Sequence, residues 1–230
     1  MCFSATASFS AAALTGAIGI ATLKQTRRLR DLPLACIPLL FGAQQAIEGA
    51  LWLGLRAEPR SPANLALAAA FTGMALILWP ALAPIAVGLA ERKKASRLLI
   101  YALVPVGIIL AGYSALLTTR NPYAPTIVNA SICYISGASY PAGGLIAYVL
   151  CTCLPPLLST DKFVRAAGIA IGSGLVVSSV FYYEGFFSVW CFFAALASVA
   201  IFGSFQRRDV PVGLPAWAAF LARGDERKMP

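Results

Sequence analysis

Seven apolar runs divide this chain, and the gaps between them alternate in charge. The runs lie near residues 5–23, 32–55, 64–90, 97–117, 140–158, 166–183 and 185–205, and each has the length to cross a hydrocarbon layer roughly 30 Å thick. Of the eighteen Lys and Arg residues, fifteen fall in alternate gaps and only Arg56, Arg60 and Arg120 in the others. Cationic loops stay on the cytoplasmic side when spans insert. The pattern therefore predicts a seven-transmembrane-helix bundle, all-α, with the N-terminus outside and the C-terminus cytoplasmic.

Composition agrees with that frame. With 59% hydrophobic and 12% charged residues and a mean hydropathy of +0.77, the chain cannot present a polar surface on all sides. The bundle takes residues 1–205 as one domain, leaving a cytoplasmic tail at 206–230. In that tail Leu214, Trp217, Phe220 and Leu221 share a helical face ahead of a charged end, as in a short amphipathic segment lying along the membrane surface. Residues 1–23 contain no Lys, Arg, Asp or Glu, so the first span lacks the basic start of a secretory signal and reads as retained. Ser4, Thr6, Ser8, Ser10 and Thr15 make its outer half polar, which predicts that this half faces other helices. A net charge of +9 would point to nucleic acid in a soluble protein. Here fifteen basic and six acidic residues gather on the inner face, and anionic lipids are the expected partner, with no nucleic acid.

Six cysteines do not make a disulfide framework, since Cys36, Cys151, Cys153 and Cys191 lie inside spans, where a small thiol packs. Cys2 and Cys133 are the pair expected on the oxidising side, and a bridge between them is a candidate. The chain has no His, which excludes bis-His haem and the commonest zinc ligand, and no metal site is expected. There is no Lys in the last span for a retinal Schiff base, no CxxC, no Walker loop and no GxSxG. The spacing thus identifies no cofactor. Asn129-Ala130-Ser131 fits a glycosylation sequon, a pattern of low specificity.

Local punctuation supports the spans. Asp31 and Pro33 open the second, Ser61 and Pro62 precede the third, and Pro141 starts the fifth. Pro80, Pro84, Pro105 and the pair Pro155-Pro156 are sites where helices can kink. Trp52 and the aromatic turn near residues 182–187 are placed for an outer interfacial belt, with Trp79 and Phe163 for a thinner inner one.

Glu48 is the one ionisable acid or base well inside a span. Gln44, Glu48 and Trp52 repeat at i, i+4, with Gln45 beside them, so one face of the second helix is polar. A carboxylate at a span centre costs about 2.5–3.5 kcal/mol against lipid, which turns that face inward. Glu48 lies about 10 Å below the outer end of its span at 1.5 Å per residue. Ser188, Trp190 and Cys191 reach a similar depth, as do Thr72, Tyr113, Ser114, Ser178 and Ser179. Glu48, Gln44, Gln45, Trp52 and Trp190 are the candidate ligand-binding residues.

The opening MCFSATASF, the run QAIEGALW from Gln45 to Trp52 and SVWCFF from Ser188 to Phe193 resemble a group of predicted bacterial integral membrane proteins of unknown function. The resemblance implies a multi-span fold in a bacterial inner membrane and no particular activity. Two readings stay open. One is a transporter, channel or sensor that binds a small solute, cation or proton in an outward-facing pocket around Glu48. The other is a membrane-embedded enzyme or assembly subunit acting on a lipid or lipophilic cofactor. A water-accessible pocket favours the first and a groove shaped for an acyl chain the second.

Overall fold

The computed structural model describes residues 4–59, 61–137, 140–181 and 186–208. Within them seven helical rods follow the apolar runs: α1 (Ala5–Lys24), α2 (Leu32–Ala57), α3 (Pro62–Ala90), α4 (Lys94–Arg120), α5 (Ala142–Leu158), α6 (Lys162–Phe181) and α7 (Phe186–Leu196, continuing as Ser198–Arg208). Six of these are long and apolar enough to cross a membrane, while α5 is a shorter apolar helix. Its 17 residues reach about 25 Å. Starts are set locally. Ser4 caps α1 by accepting from the Ala7 amide at 3.2 Å, and Ser61 caps α3 by accepting from the Asn64 amide at 3.3 Å, with Pro62 in the first turn where no N–H is needed. Close helix approach rests on glycine: a Cβ on Gly19 of α1 would meet the Leu39 backbone nitrogen of α2 at 2.6 Å.

The packing differs from that of a water-soluble bundle in what it shows outward and in the polar side chains it keeps inside. Ser8, Thr15, Gln44, Gln45, Glu48, Asn64, Thr72, Ser114 and Ser178 are buried, whereas Leu14, Ile109, Ile146, Ile169, Val176 and Phe181 are more than half exposed. Hydroxyls inside the rods are mostly spent on the preceding turn, as in Thr15 to the Ala11 carbonyl (2.7 Å) and Thr72 to the Ala68 carbonyl (2.8 Å). An apolar exterior, with the polar side chains of the spans gathered inside among the hydrophobic core, is what a lipid environment selects. The expectation for α1 holds for Ser8 and Thr15, but Thr6 and Ser10 are exposed. Trp52 and Trp79 are not interfacial anchors. Trp52 is buried with Leu51, Leu55, Ala68 and Ile132, and Trp79 stacks on Phe41 with ring centroids 4.1 Å apart. Interior contacts outweigh the interfacial preference of an indole because both lie on inward faces of their helices. The amphipathic tail and the aromatic turn at 182–185 lie outside the described residues.

The longest gap between apolar runs, residues 118–139, contains a hairpin of β1 (Ala124–Val128) and β2 (Ser131–Ile135), antiparallel with Thr126 opposite Cys133. Its two turn residues, Asn129 and Ala130, both have positive φ (47° and 55°), the geometry that matches strand twist in a two-residue hairpin. Side chains from β2 enter the bundle end. Ile132 is fully buried, and Tyr134 stacks on Phe71 at 4.6 Å. Cys133 is buried in β2 and Cys2 lies outside the described residues.

At the other end, one carboxylate gathers the junctions. Glu91, 3% exposed after the last turn of α3, accepts from the amides of Arg92 and Lys93 at 2.9 Å and, across the α5–α6 junction, from Ser159 Oγ (2.9 Å), the Thr160 amide (2.8 Å) and Thr160 Oγ1 (2.5 Å). Asp161 extends this lock, capping α6 through the Phe163 amide (2.9 Å) and accepting from Ser204 Oγ of α7 (2.5 Å). The short 3-10 turn Leu29–Asp31 also packs on the second half of α3. Lys24, Arg27, Arg28, Arg30, Arg92, Lys93, Lys94, Arg97, Lys162, Arg165 and Arg207 lie on or beside these junctions, so the lock sits at the basic end of the bundle.

Burial opposes ionisation of Glu91, but the hydrogen bonds from Thr160, Lys93 and Ser159 prevail and hold its carboxyl below the ordinary range. A depressed carboxyl contributes stability that is present above its unfolded pKa, about 4.3, and lost as pH falls through the folded value. Glu91→Ala should lower stability by about 2–4 kcal/mol, and Glu91→Gln should flatten the loss of thermal stability between neutral pH and the acid side of that range. Melting curves of the purified protein in detergent across pH check both.

Candidate functional site

The α2 face predicted to be polar does turn inward. Gln44, Gln45 and Glu48 are each 0% exposed and Trp52 is 1%. Gln44 is fixed at both ends of its amide: Oε1 accepts from Trp79 Nε1 of α3 at 2.8 Å, and Nε2 donates to Cys191 Sγ of α7 at 3.3 Å. Glu48, one turn further along α2, lies close enough to act electrostatically on the same thiol. α2, α3 and α7 are therefore joined at mid-bundle by a row of polar contacts. Trp52 Nε1 has no hydrogen-bond partner, and its ring carries the Arg56 guanidinium at 5.5 Å.

On the basic side of this row lies a cavity between α2, α3, α5, α6 and α7. It offers about 60 Å³ to the centres of water-sized spheres, several times the roughly 10–15 Å³ that admits one water. Phe41, Trp79, Tyr148, Trp190 and Cys191 form its upper part; Leu34, Val87, Pro156, Val164 and Ile201 carry it to within about a turn of the Glu91–Asp161 lock. Four of its lining residues carry polar hydrogens that are already committed. Trp79 Nε1 donates to Gln44, Trp190 Nε1 to the Ile171 carbonyl at 3.0 Å, Thr152 Oγ1 to the Tyr148 carbonyl at 2.8 Å, and Tyr148 Oη to the Ala75 carbonyl at 2.6 Å. The wall offered to an occupant is hydrocarbon and aromatic ring, with the Cys191 thiol supplying one further, weakly polar hydrogen.

The Tyr148 bond follows from a proline. Across Met74–Leu78 the backbone makes a π turn, and the Trp79 amide bonds to the Met74 carbonyl. The next carbonyl, that of Ala75, would then look to residue 80, and Pro80 has no N–H. A hydroxyl from α5 supplies the missing donor. Pro80 is one of the kink sites expected from sequence; the tyrosine that answers it, 68 residues later, carries no local signal.

Of the candidate ligand residues, Trp190 lines the cavity, while Gln44 ties down the Trp79 and Cys191 that do so. Gln45, Glu48 and Trp52 sit above it, toward the hairpin end. The layer expected at the depth of Glu48 is only partly assembled. Thr72, Ser114, Ser178 and Ser188 are buried, but Tyr113 is 41% exposed and Ser179 is exposed, so these two face away from the bundle. Depth along a helix is legible in sequence and direction around it is not. Trp79 and Tyr148 are the residues that sequence reasoning missed. Trp79 is assigned there to an interfacial belt, and the stacking partner Phe41 that draws it inward lies 38 residues away. Among the described residues no group of three or more His, Cys, Asp or Glu could hold a metal ion.

The chain belongs to a family of unknown function (DUF6629), whose model matches residues 1–216. No curated protein and no solved structure matches it.

Gln44→Leu should strand the Trp79 N–H in the interior and Tyr148→Phe should strand the Ala75 carbonyl, each at a cost of about 1–3 kcal/mol. Thermal melts check the cost. Intrinsic fluorescence separates the two, because only the Gln44 variant should shift the Trp79 emission.

Proposed function

We propose that this protein is a seven-span bacterial inner-membrane protein that holds a lipophilic molecule, with the apolar body of that molecule in the cavity between α2, α3, α5, α6 and α7. The observation that carries this reading is the committed wall. With the polar hydrogens of Trp79, Tyr148, Thr152 and Trp190 engaged within the protein, a polar solute entering there would lose its hydration and gain no hydrogen bond in return. A hydrocarbon chain gives up no hydrogen bond on entering, and close packing against the wall offsets the cost of ordering it. Of the two classes open from sequence, the cavity favours lipid or a lipophilic cofactor. The wall has the chemistry of holding rather than of turnover, since its thiol, Cys191, accepts from Gln44, and its hydroxyls, Thr152 and Tyr148, donate to backbone carbonyls rather than to a base.

The basic end faces the cytoplasm in this reading, where its cations meet anionic headgroups, and the hairpin lies outside. The shorter α5 crosses with the others, bringing Tyr148 to Ala75. The polar row at Glu48 is a distinct feature with chemistry of its own, to which the solute, cation or proton reading attaches.

Two measurements test this function. A reporter active only in the cytoplasm should work when fused after Lys228 and fail when inserted near Asn121; the reverse pattern overturns the topology. In nanodiscs, a brominated fatty acid should quench the emission of Trp79 and Trp190 saturably. Ala194→Leu, which fills the cavity from α7, should weaken that quenching at least tenfold, about 1.4 kcal/mol. Quenching that never saturates, or that is unchanged by Ala194→Leu, rejects the cavity as the binding site.

A further inference from the structure

Above the cavity, toward the hairpin end, α1, α2 and α7 meet where α1 and α2 bury polar atoms that the chain does not satisfy. Gln45 is 0% exposed, and neither its Oε1 nor its Nε2 has a hydrogen-bond partner. Ser8 of α1 is 0% exposed, and its Oγ has none either. Register brings the two together. Phe9 packs directly on Gly49 and Gly16 on Gly42, so α1 runs antiparallel to α2 and Ser8 falls beside the Gly49 turn. Gln45 and Glu48 lie within that turn and the one before it, three residues apart on one face. From α7, Cys191 reaches Gln44 and feels Glu48, which sets the fully buried Ser188, one turn earlier, at the same level.

We propose that this α1–α2–α7 junction binds a small alkali cation, Na+ or K+, independently of the lipophile in the cavity. Buried amides and hydroxyls in native proteins are paired with protein, water or an ion, and leaving one unpaired costs about 1–3 kcal/mol. An unpaired Gln45 amide beside Ser8 in the interior therefore marks an occupant. Its chemistry follows from the atoms that face it. Gln45 Oε1, Ser8 Oγ and Ser188 Oγ are neutral oxygens, and the Glu48 carboxyl group adds two more, able to release a proton and balance the charge of a cation that settles beside it. A hard monovalent cation takes such oxygens, whereas a transition metal asks for the sulfur, imidazole or multiple carboxylates that the described residues do not group together. The donors that remain, Gln45 Nε2 and Trp52 Nε1, suit water completing the ion's shell. An anion would meet the oxygens of Ser8, Ser188 and Glu48, and an apolar guest would leave the amide unsatisfied.

The test uses the full chain in zwitterionic nanodiscs, with 22Na+ as the probe. Wild type should bind 22Na+ saturably, displaced by unlabelled Na+ or K+ but not by choline, and should melt about 3 °C or more higher in NaCl or KCl than in choline chloride of equal ionic strength. Gln45→Leu and Ser8→Ala each remove a polar group that only the ion satisfies. Both should lose at least tenfold in 22Na+ affinity and lose the salt-specific shift, while melting in choline no lower than wild type. If wild type takes up no 22Na+ and melts identically in the three salts, the junction holds water alone and the proposal fails. It fails equally if both variants bind as wild type does. Fatty-acid quenching of Trp79 and Trp190 is indifferent to either result, so the two sites stand or fall separately.

Discussion

A polar atom inside an apolar slab has nowhere to go but to another atom of the same chain, and most of this fold can be traced to that constraint. Water outside a soluble bundle forgives a misplaced glutamine; lipid does not. Hence α2, with the most polar interior face, stands in the middle of the molecule, with Gln44 reaching Trp79 on one side and Cys191 on the other. Hence too the hydroxyls of Thr15, Thr72 and Thr152 fold back on their own helices. The Glu91 lock obeys the same rule at the basic end, where one buried carboxylate satisfies donors from two junctions at once.

The two candidate sites are the places where the rule has visibly different outcomes. Around the cavity, every polar group discussed finds a partner, and what remains is a greasy surface suited to a hydrocarbon guest. One turn or so away, at Gln45 and Ser8, it does not, and a charged or hydrated guest fits. Cys191 stands between them, lining the cavity with one side and meeting Gln44 with the other. A bundle with an apolar compartment and a polar one sharing a wall can hold two ligands of opposite character without either solvating the other.

How much of this was legible in the sequence follows from the reach of each signal. The rods are written in long apolar runs and in the charges between them, so their positions came within a few residues. The inward polar face of α2 is written in i, i+4 spacing, and it came too. The hairpin did not. Its strands are five residues each with β-branched or aromatic residues in both, but its turn is Asn-Ala rather than Asn-Gly, so the strongest short-range hairpin signal is missing. The inward turn of Trp79, the donation by Tyr148 and the outward turn of Tyr113 depend on which helix lies beside which. Adjacency is a property of pairs of rods, and a single rod's pattern holds no record of it.

The π turn at Met74–Leu78 has a consequence for how α3 is to be read. A π turn is an α-helix with one residue too many in a coil, and each residue is worth about 100° of rotation. Everything from Trp79 to Ala90 is therefore out of phase with Pro62–Gly73 by roughly that angle, and the helix serves two neighbourhoods: Phe71 toward the hairpin, Trp79 and Val87 toward the cavity. Straightening the five residues into a regular coil without removing one would swing Trp79 off Gln44 by about that angle, whereas deleting one of them would let the helix close with Trp79 still directed at Gln44. In this stretch length and hydrogen-bond pattern are therefore coupled: five residues keep the lower half of α3 on the cavity only while the π turn takes up the fifth.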